Sequence, residues 1–281
     1  MNTKNNCKIA FVSAVLIPLF LSLMTPGIAV AQRTKAATKA FSGPNDADVS
    51  YPATEGKIGQ KDASALAEIH QAVAASLVPD HVGLEMTGTL TSSFGDKQKE
   101  YSTSFAIDGG RRFRLDIQKE NGTRSVRIDR DNGKARQSNQ APQELEDIDF
   151  VNPLGMPSLL LDIVDRKDSA VVDDGSVTVG DQSLKKVTIT LFRPRYGDPV
   201  SASFYFDTST HLLKKGAFLE HSLGNRSLKF LTVMTYGDYR QEQSMLLPHE
   251  YSETVNGQHI MSIKVATVSV TAAHETSYFS F

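Results

Sequence analysis

The chain has no tryptophan and one cysteine, Cys7, so no disulfide can staple it internally. It also lacks the short motifs that mark common catalytic machinery. There is no G-x-S-x-G, and the nearest strings, Gly155 to Ser158 and Gly224 to Ser227, have the wrong spacing for a nucleophile elbow. Neither a G-x-G-x-x-G loop nor a Walker-type phosphate loop occurs. The histidines are His70, His81, His211, His221, His249, His259 and His274, and none form H-x-x-x-H. A tetrahedral metal site needs several converging ligands, so no metal or cofactor is expected, and the histidines read as scattered surface residues. In the Asn256-Gly257 hairpin, a two-residue register sets His249 opposite Lys264 and His259 opposite Thr254. Asp129-Arg130-Asp131-Asn132-Gly133 starts like a calcium loop, but Gln140 stands where that loop requires glutamate. Glu144, Glu146, Asp147 and Asp149 read as a solvated face. On these grounds the chain is not expected to be an enzyme.

An excess of either charge is missing too, with 30 basic against 32 acidic residues. No basic stripe recommends a nucleic-acid partner, and no electrostatic attraction to anionic membranes follows. Long apolar runs are absent except for one, Ile9 to Met24. Lys4 and Lys8 precede it, Pro26 and Gly27 break it, and Ala29-Val30-Ala31 ends it in the small-x-small pattern of signal peptidase. The run is short for a membrane span, and polar Gln32-Arg33-Thr34-Lys35 follows at once. Residues 1–31 are therefore expected to be a signal peptide cleaved after Ala31, with an uncleaved anchor as the alternative. Cleavage removes Cys7, Lys4 and Lys8, leaving 28 basic against 32 acidic residues, a net charge of −4. The mature protein is expected in the periplasm or secreted, not transmembrane, and stabilised by a core alone.

What remains has a clear order. Residues 32–61 are small, polar and charged, without sustained periodicity, and are expected to be a flexible leader. Residues 62–281 form one domain. From Asp62 to Val78, Leu66, Ile69, Val73 and Leu77 recur at helical spacing, and Pro79 ends the helix. From Val82 the period becomes 2, as in Leu84, Met86 and Leu90, then Tyr101, Phe105 and Ile107, then Phe113, Leu115 and Ile117. Asn121-Gly122 predicts a two-residue hairpin that sets Leu115 opposite Ile128 and Ile117 opposite Val126. Gly109-Gly110, Asp131-Asn132-Gly133, Asp174-Gly175, Gly180-Asp181 and Asn256-Gly257 mark further turns. Between about Ser138 and Lys167 the strands stop. Asn152-Pro153 there opens a helix that is apolar nearly all round, with Leu154, Met156, Leu159, Leu160, Leu161, Ile163 and Val164. Strands then resume to about Thr271. The fold class is mainly β (α+β), a single antiparallel sheet of about eleven strands, and sheets that wide curl or close.

Two short helices cannot blanket such a sheet. Either its interior is packed, or its concave face holds an apolar ligand. The candidate lining is Leu84, Met86, Leu90, Phe105, Ile107, Phe113, Leu115, Ile117, Phe204, Phe206, Phe230 and Met234. Leu154, Met156, Leu159, Leu160 and Ile163 are the candidate lid or plug. Pattern alone leaves cavity and core evenly matched.

Three local strings resemble a known family. Gly109-Gly110-Arg111-Arg112-Phe113-Arg114-Leu115-Asp116 is similar to a glycine-x-arginine-phenylalanine-arginine third strand. Ser203-Phe204-Tyr205-Phe206-Asp207 with Leu212-Leu213-Lys214-Lys215 is similar to an "apolar strand, Asp turn, Leu-Leu-basic" hairpin. Tyr236-Gly237-Asp238-Tyr239-Arg240 followed by Leu246-Leu247-Pro248-His249 completes the set. In this order, over about residues 62 to 271, they resemble the LolA/LolB-like superfamily of periplasmic lipoprotein carriers. The resemblance implies a curved half-barrel lidded by helices, with lipid or lipoprotein acyl chains in the hollow and no cofactor. It also implies that Arg112 or Arg114 contacts a head group or latches the lid, although their alternation with apolar residues equally places them on the wet face. The alternative function is an envelope lipid sensor or protein-interaction module on the same fold, with the polar leader meeting an envelope protein partner. A third possibility, an enzyme invisible to motifs, would show clustered polar groups with perturbed pKa inside the hollow. N-terminal sequencing of the exported protein is expected to begin at Gln32; an intact Met1 on the mature species would make residues 9–24 an anchor.

Overall fold

The computed structural model describes residues 49–76, 82–94, 97–108, 112–129, 132–138, 140–144, 158–192, 199–222 and 225–281. The expected signal peptide lies outside them, as do Leu154 and Met156 of the expected plug and the side chain of Leu159. Helix α1 is Ala63–Ser76 and α2 is Ser158–Val164. The strands are β1 (Val82–Phe94), β2 (Lys97–Asp108), β3 (Arg112–Lys119), β4 (Gly122–Asp129), β5 (Asn132–Gln137), β6 (Gln143–Glu144), β7 (Ser169–Val179), β8 (Gln182–Leu191), β9 (Val200–Asp207), β10 (Leu213–Ser222), β11 (Asn225–Glu242), β12 (Met245–Val255) and β13 (Gln258–Ala272). A short 3-10 turn, Thr276–Phe279, follows.

All strands join one 13-stranded antiparallel sheet ordered β6-β5-β4-β3-β2-β1-β13-β12-β11-β10-β9-β8-β7. The count exceeds the expected eleven, in part because two-residue β6 carries no apolar side chain to reveal it. The sheet is a curved half-barrel and does not close among the described residues. Two meanders, β1 to β6 and β7 to β13, run outward from a shared seam where β1 pairs with β13. That seam runs from Val82↔Ala272 to Ser92↔Met261 and shifts register at Thr87/Gly88. Gly88 sits where a Cβ atom would lie 2.2 Å from the Lys264 carbonyl oxygen, closer than any side chain can approach.

The helices cover the inner face. Ala65, Ile69 and Ala72 of α1 and Leu160 and Val164 of α2 share one buried cluster with the inward residues of both meanders. Each large apolar side chain buried there contributes roughly 1.5–3 kcal/mol. The buried stripe of α1 is turned from the expected one: Leu66 is only partly buried, while Ala65, Glu68, Ile69, Ala72 and Ser76 are buried. Small alanines let the helix lie close to the sheet, and Glu68 is tolerated because His211 Nδ1 sits 2.9 Å from its carboxylate.

The flanking segments cover the outer face. The flexible leader expected over 32–61 is fixed from Val49 onward. Val49 packs with Leu184, Tyr205, Ala217, Leu231 and Val233, and Lys61 bridges Val171 in parallel at the β7 edge. At the other end, Tyr278 donates to Glu85 at 2.9 Å, the His274 amide donates to Asp108 at 3.0 Å, and Phe279 is buried. Each meander is thus strapped on its convex side by one end of the domain.

The turns match the expected types in some places and differ in others. At Asn256-Gly257 both residues take positive φ, +48° and +75°, and Val255 pairs with Gln258. At Asn121-Gly122 only Gly122 does, at +106°. Pairing there starts at Lys119↔Gly122, so Leu115 meets Val126 and not Ile128. The shift is two residues, so the apolar face is preserved. Asp174-Gly175 is a bulge inside β7, with Gly175 at φ +80° and a register shift between Asp173 and Ser176, and not a hairpin turn.

Because the Gly88–Lys264 approach lies on the seam, Gly88→Ala is expected to lower stability by about 3 kcal/mol. Urea denaturation measures it; an unchanged midpoint would mean the two strands part there without loss.

Candidate functional site

The inner face is built by period-2 alternation in every long strand. Across the first meander, Ala135, Val126, Leu115, Phe105 and Met86 stand side by side in register. Across the second, Val187, Phe204, Gly216, Met234, Glu253 and Met261 do the same. Eleven of the twelve expected lining residues lie in the single buried cluster under the helices, and Phe230, half-buried, packs against it. Leu160 is buried in the same cluster and Ile163 packs at its margin.

Arg112 and Arg114 are on the other side of the sheet. Arg112 Nε donates to Asp129 at 3.2 Å and its guanidinium lies 3.6 Å from Asp108. Arg114 donates to Asp116 at 2.8 Å and stacks on the Tyr278 ring at 4.4 Å. A head-group contact inside the hollow does not fit this placement; the two arginines fasten the C-terminal strap. Asp116 is the hub of that outer network. Burial pushes its pKa up, but bonds from Ser125, Arg114 and Arg127 outweigh this and hold it below the usual range.

The inner face is not wholly apolar, and these residues were missed. Tyr236 and Tyr251 face each other across β11 and β12, with ring centroids 6.1 Å apart, and Tyr251 meets Phe105 edge-on at 5.9 Å. Two residues along β12, Glu253 is 0% exposed, and neither carboxylate oxygen has a hydrogen-bond partner among the described residues. Burial alone pushes its pKa up to about 8. Burial likewise raises the phenols of Tyr236 and Tyr251. Arg124, also buried on this face, is pushed down to about 10 by desolvation. The alternation Met245, Leu247, His249, Tyr251, Glu253, Val255 could have revealed the carboxylate, because it stands in phase with the apolar residues.

His249 corrects the view that the histidines lie on the surface. It is 3% exposed, with Nε2 3.0 Å from Glu242. Its expected partner Lys264 pairs instead with Glu250, because a bulge at Glu253/Thr254 moves the register by one; His259 does face Thr254. Perturbed groups inside the hollow are what an enzyme would show. Glu253 is such a group, and its carboxyl has no hydrogen-bond partner among the described residues. Among the described residues no group of three or more metal-ligating side chains forms, and no helix is long and apolar enough to cross a membrane.

This architecture, a wide half-barrel with helices in its hollow, is the LolA-like fold. The chain resembles a LolA superfamily protein from Nitrosomonas europaea with a TM-score of 0.53 and 10% identity, over 77% of this chain and 97% of that one. An outer membrane lipoprotein-sorting protein domain from Vibrio parahaemolyticus matches with a TM-score of 0.53 and 10% identity, over 76% and 95%. A DUF1329 family protein from Desulfovibrio piger matches with a TM-score of 0.53 and 9% identity, over 77% and 97%. No protein-family model and no curated protein matches the sequence.

Glu253 sets a pH dependence. Between pH 4.5 and about 8 the unfolded chain ionises this carboxyl while the fold keeps it neutral, so stability falls as pH rises. The full effect is on the order of 5 kcal/mol. Glu253→Gln is expected to flatten this fall, as measured by urea unfolding at pH 5 and pH 8.5. Identical pH slopes in both proteins would mean the carboxyl is hydrated.

Proposed function

We propose that this chain is an exported carrier that binds a lipid or the acyl chains of a lipoprotein in the hollow of its half-barrel. The observation that carries the reading is a wide, continuous apolar inner face closed over by short helices. Among the described residues, a 13-stranded sheet presents its apolar inner side to helices of 14 and 7 residues. Packing requires an apolar face to be covered, and a flexible acyl chain would keep this one covered when the short helices move off it. Met86, Met234 and Met261 give that face adaptable side chains suited to chains of varied length.

In this conformation the lining is buried, so binding requires its cover to move. Helix α2 is the mobile candidate. It is short, and it lies in the single crossover that joins β6 to β7 at opposite edges of the sheet. The fold neighbours include a protein named for lipoprotein sorting, which supports the same ligand class. The expected signal peptide would place the protein in the periplasm or outside the cell.

The absence of tryptophan supplies a clean reporter. Phe105→Trp puts a single indole on the inner face, and brominated acyl lipids are expected to quench it saturably, with a dissociation constant of about 1 μM. Quenching that is absent at saturating lipid, together with partner binding indifferent to lipid, would replace the carrier by an interaction module.

A further inference from the structure

Three polar side chains on the inner face of β11 and β12 are not explained by a purely apolar hollow. Thr232 Oγ1, the Tyr251 hydroxyl and both oxygens of Glu253 are buried and have no hydrogen-bond partner among the described residues. Their residues are 0%, 1% and 0% exposed. The strand register makes them neighbours. Glu253 faces Met234, Thr232 faces Val255, and Tyr251 faces Tyr236. Thr232 and Glu253 are therefore diagonal across one strand pair, roughly 7–8 Å apart at the backbone. Tyr251 is one pleat repeat from Glu253 on the same face of one strand, roughly 7 Å away.

Interiors rarely leave such groups unpaired, and apolar residues in these places would pack without the desolvation penalty. Two unpaired groups, each one pleat repeat from the unpaired Glu253 on the same face, form with it a site that awaits a polar partner. We propose that Thr232, Tyr251 and Glu253 are the polar subsite of the hollow and bind the uncharged ester or hydroxyl head of a neutral, acylglycerol-type lipid. The proposal rests on the acyl-binding reading and narrows it to a ligand class.

The chemistry selects against anions. A neutral carboxyl offers one O–H donor and a carbonyl acceptor, and the two hydroxyls each donate and accept. Together they match an ester carbonyl beside a glycerol hydroxyl. A phosphate or carboxylate would bring a charge to a place where no cation among the described residues compensates it. No neighbouring charge shifts Glu253, whose change comes from burial alone. The inner face's buried Arg124 is on β4, five strand steps from β12, or roughly 24 Å measured along the curved sheet. His249 is closer, but it lies against the Glu242 carboxylate.

The test is displacement of a fluorescent acyl probe from the delipidated, natively exported protein by 1-oleoylglycerol, oleate and oleoyl lysophosphatidate at pH 7.5. The glycerol ester is expected to bind about tenfold more tightly than either anion, the size of a well-made against an unmade buried hydrogen bond. Thr232→Val, which keeps the side-chain shape, and Glu253→Met are each expected to bring that ratio to within about threefold of one. Anions that bind as tightly as the ester, or a preference untouched in both variants, would overturn the assignment while leaving acyl binding intact. A probe that never binds would overturn both.

Discussion

The pairing of β1 with β13 is the constraint on which the rest of this molecule depends. Each meander is held by local hairpins, but only this seam, between residues about 180 positions apart, makes them one sheet. The seam needs Gly88, because the Lys264 carbonyl occupies the space of any side chain there. Once it forms, β6 and β7 become the two far edges. On the connection between them α2 packs against α1 and β7, and its Leu160 and Val164 join the buried cluster of the inner face.

The two faces of the sheet solve different problems. The outer face is closed by the ends of the domain, with Val49 in an apolar pocket on one half and His274, Tyr278 and Phe279 on the other. Its charges are matched: Asp116 answers Arg114 and Arg127, and Asp129 answers Arg112. The inner face keeps Glu253 buried and unmatched. The fold thus pairs buried charges on one side and leaves a carboxyl without a hydrogen-bond partner among the described residues on the other.

Most of the architecture was legible in the chain because antiparallel strands advertise themselves. Phe113, Leu115 and Ile117 alternating with Arg112, Arg114 and Asp116 state both the strand and which side is wet, and this alternation carried more information about the arginines than the family resemblance did. Asn256-Gly257 stated its turn equally well, since few residues take positive φ twice in succession. Asn121-Gly122 did not, because the same pair can serve a turn in which only the glycine is left-handed. The leader was misjudged from Val49 because its composition is that of a flexible chain, while its anchorage depends on a pocket made by β8, β9, β10 and β11.

Local pattern was enough for the strand period, the position of α1 and the fold class, because each is written in residues a few places apart. Long-range geometry settled the remainder. Glu253 alternates in phase with Tyr251 in the sequence, but whether an in-phase carboxylate is paired or stranded depends on which residues the neighbouring strands bring beside it. Here they bring Met234 and Met261, and a bulge at Glu253/Thr254 sets that match. The absence of a charged partner, and with it the chemistry of the hollow, is therefore a property of the assembled sheet and not of any segment of the chain.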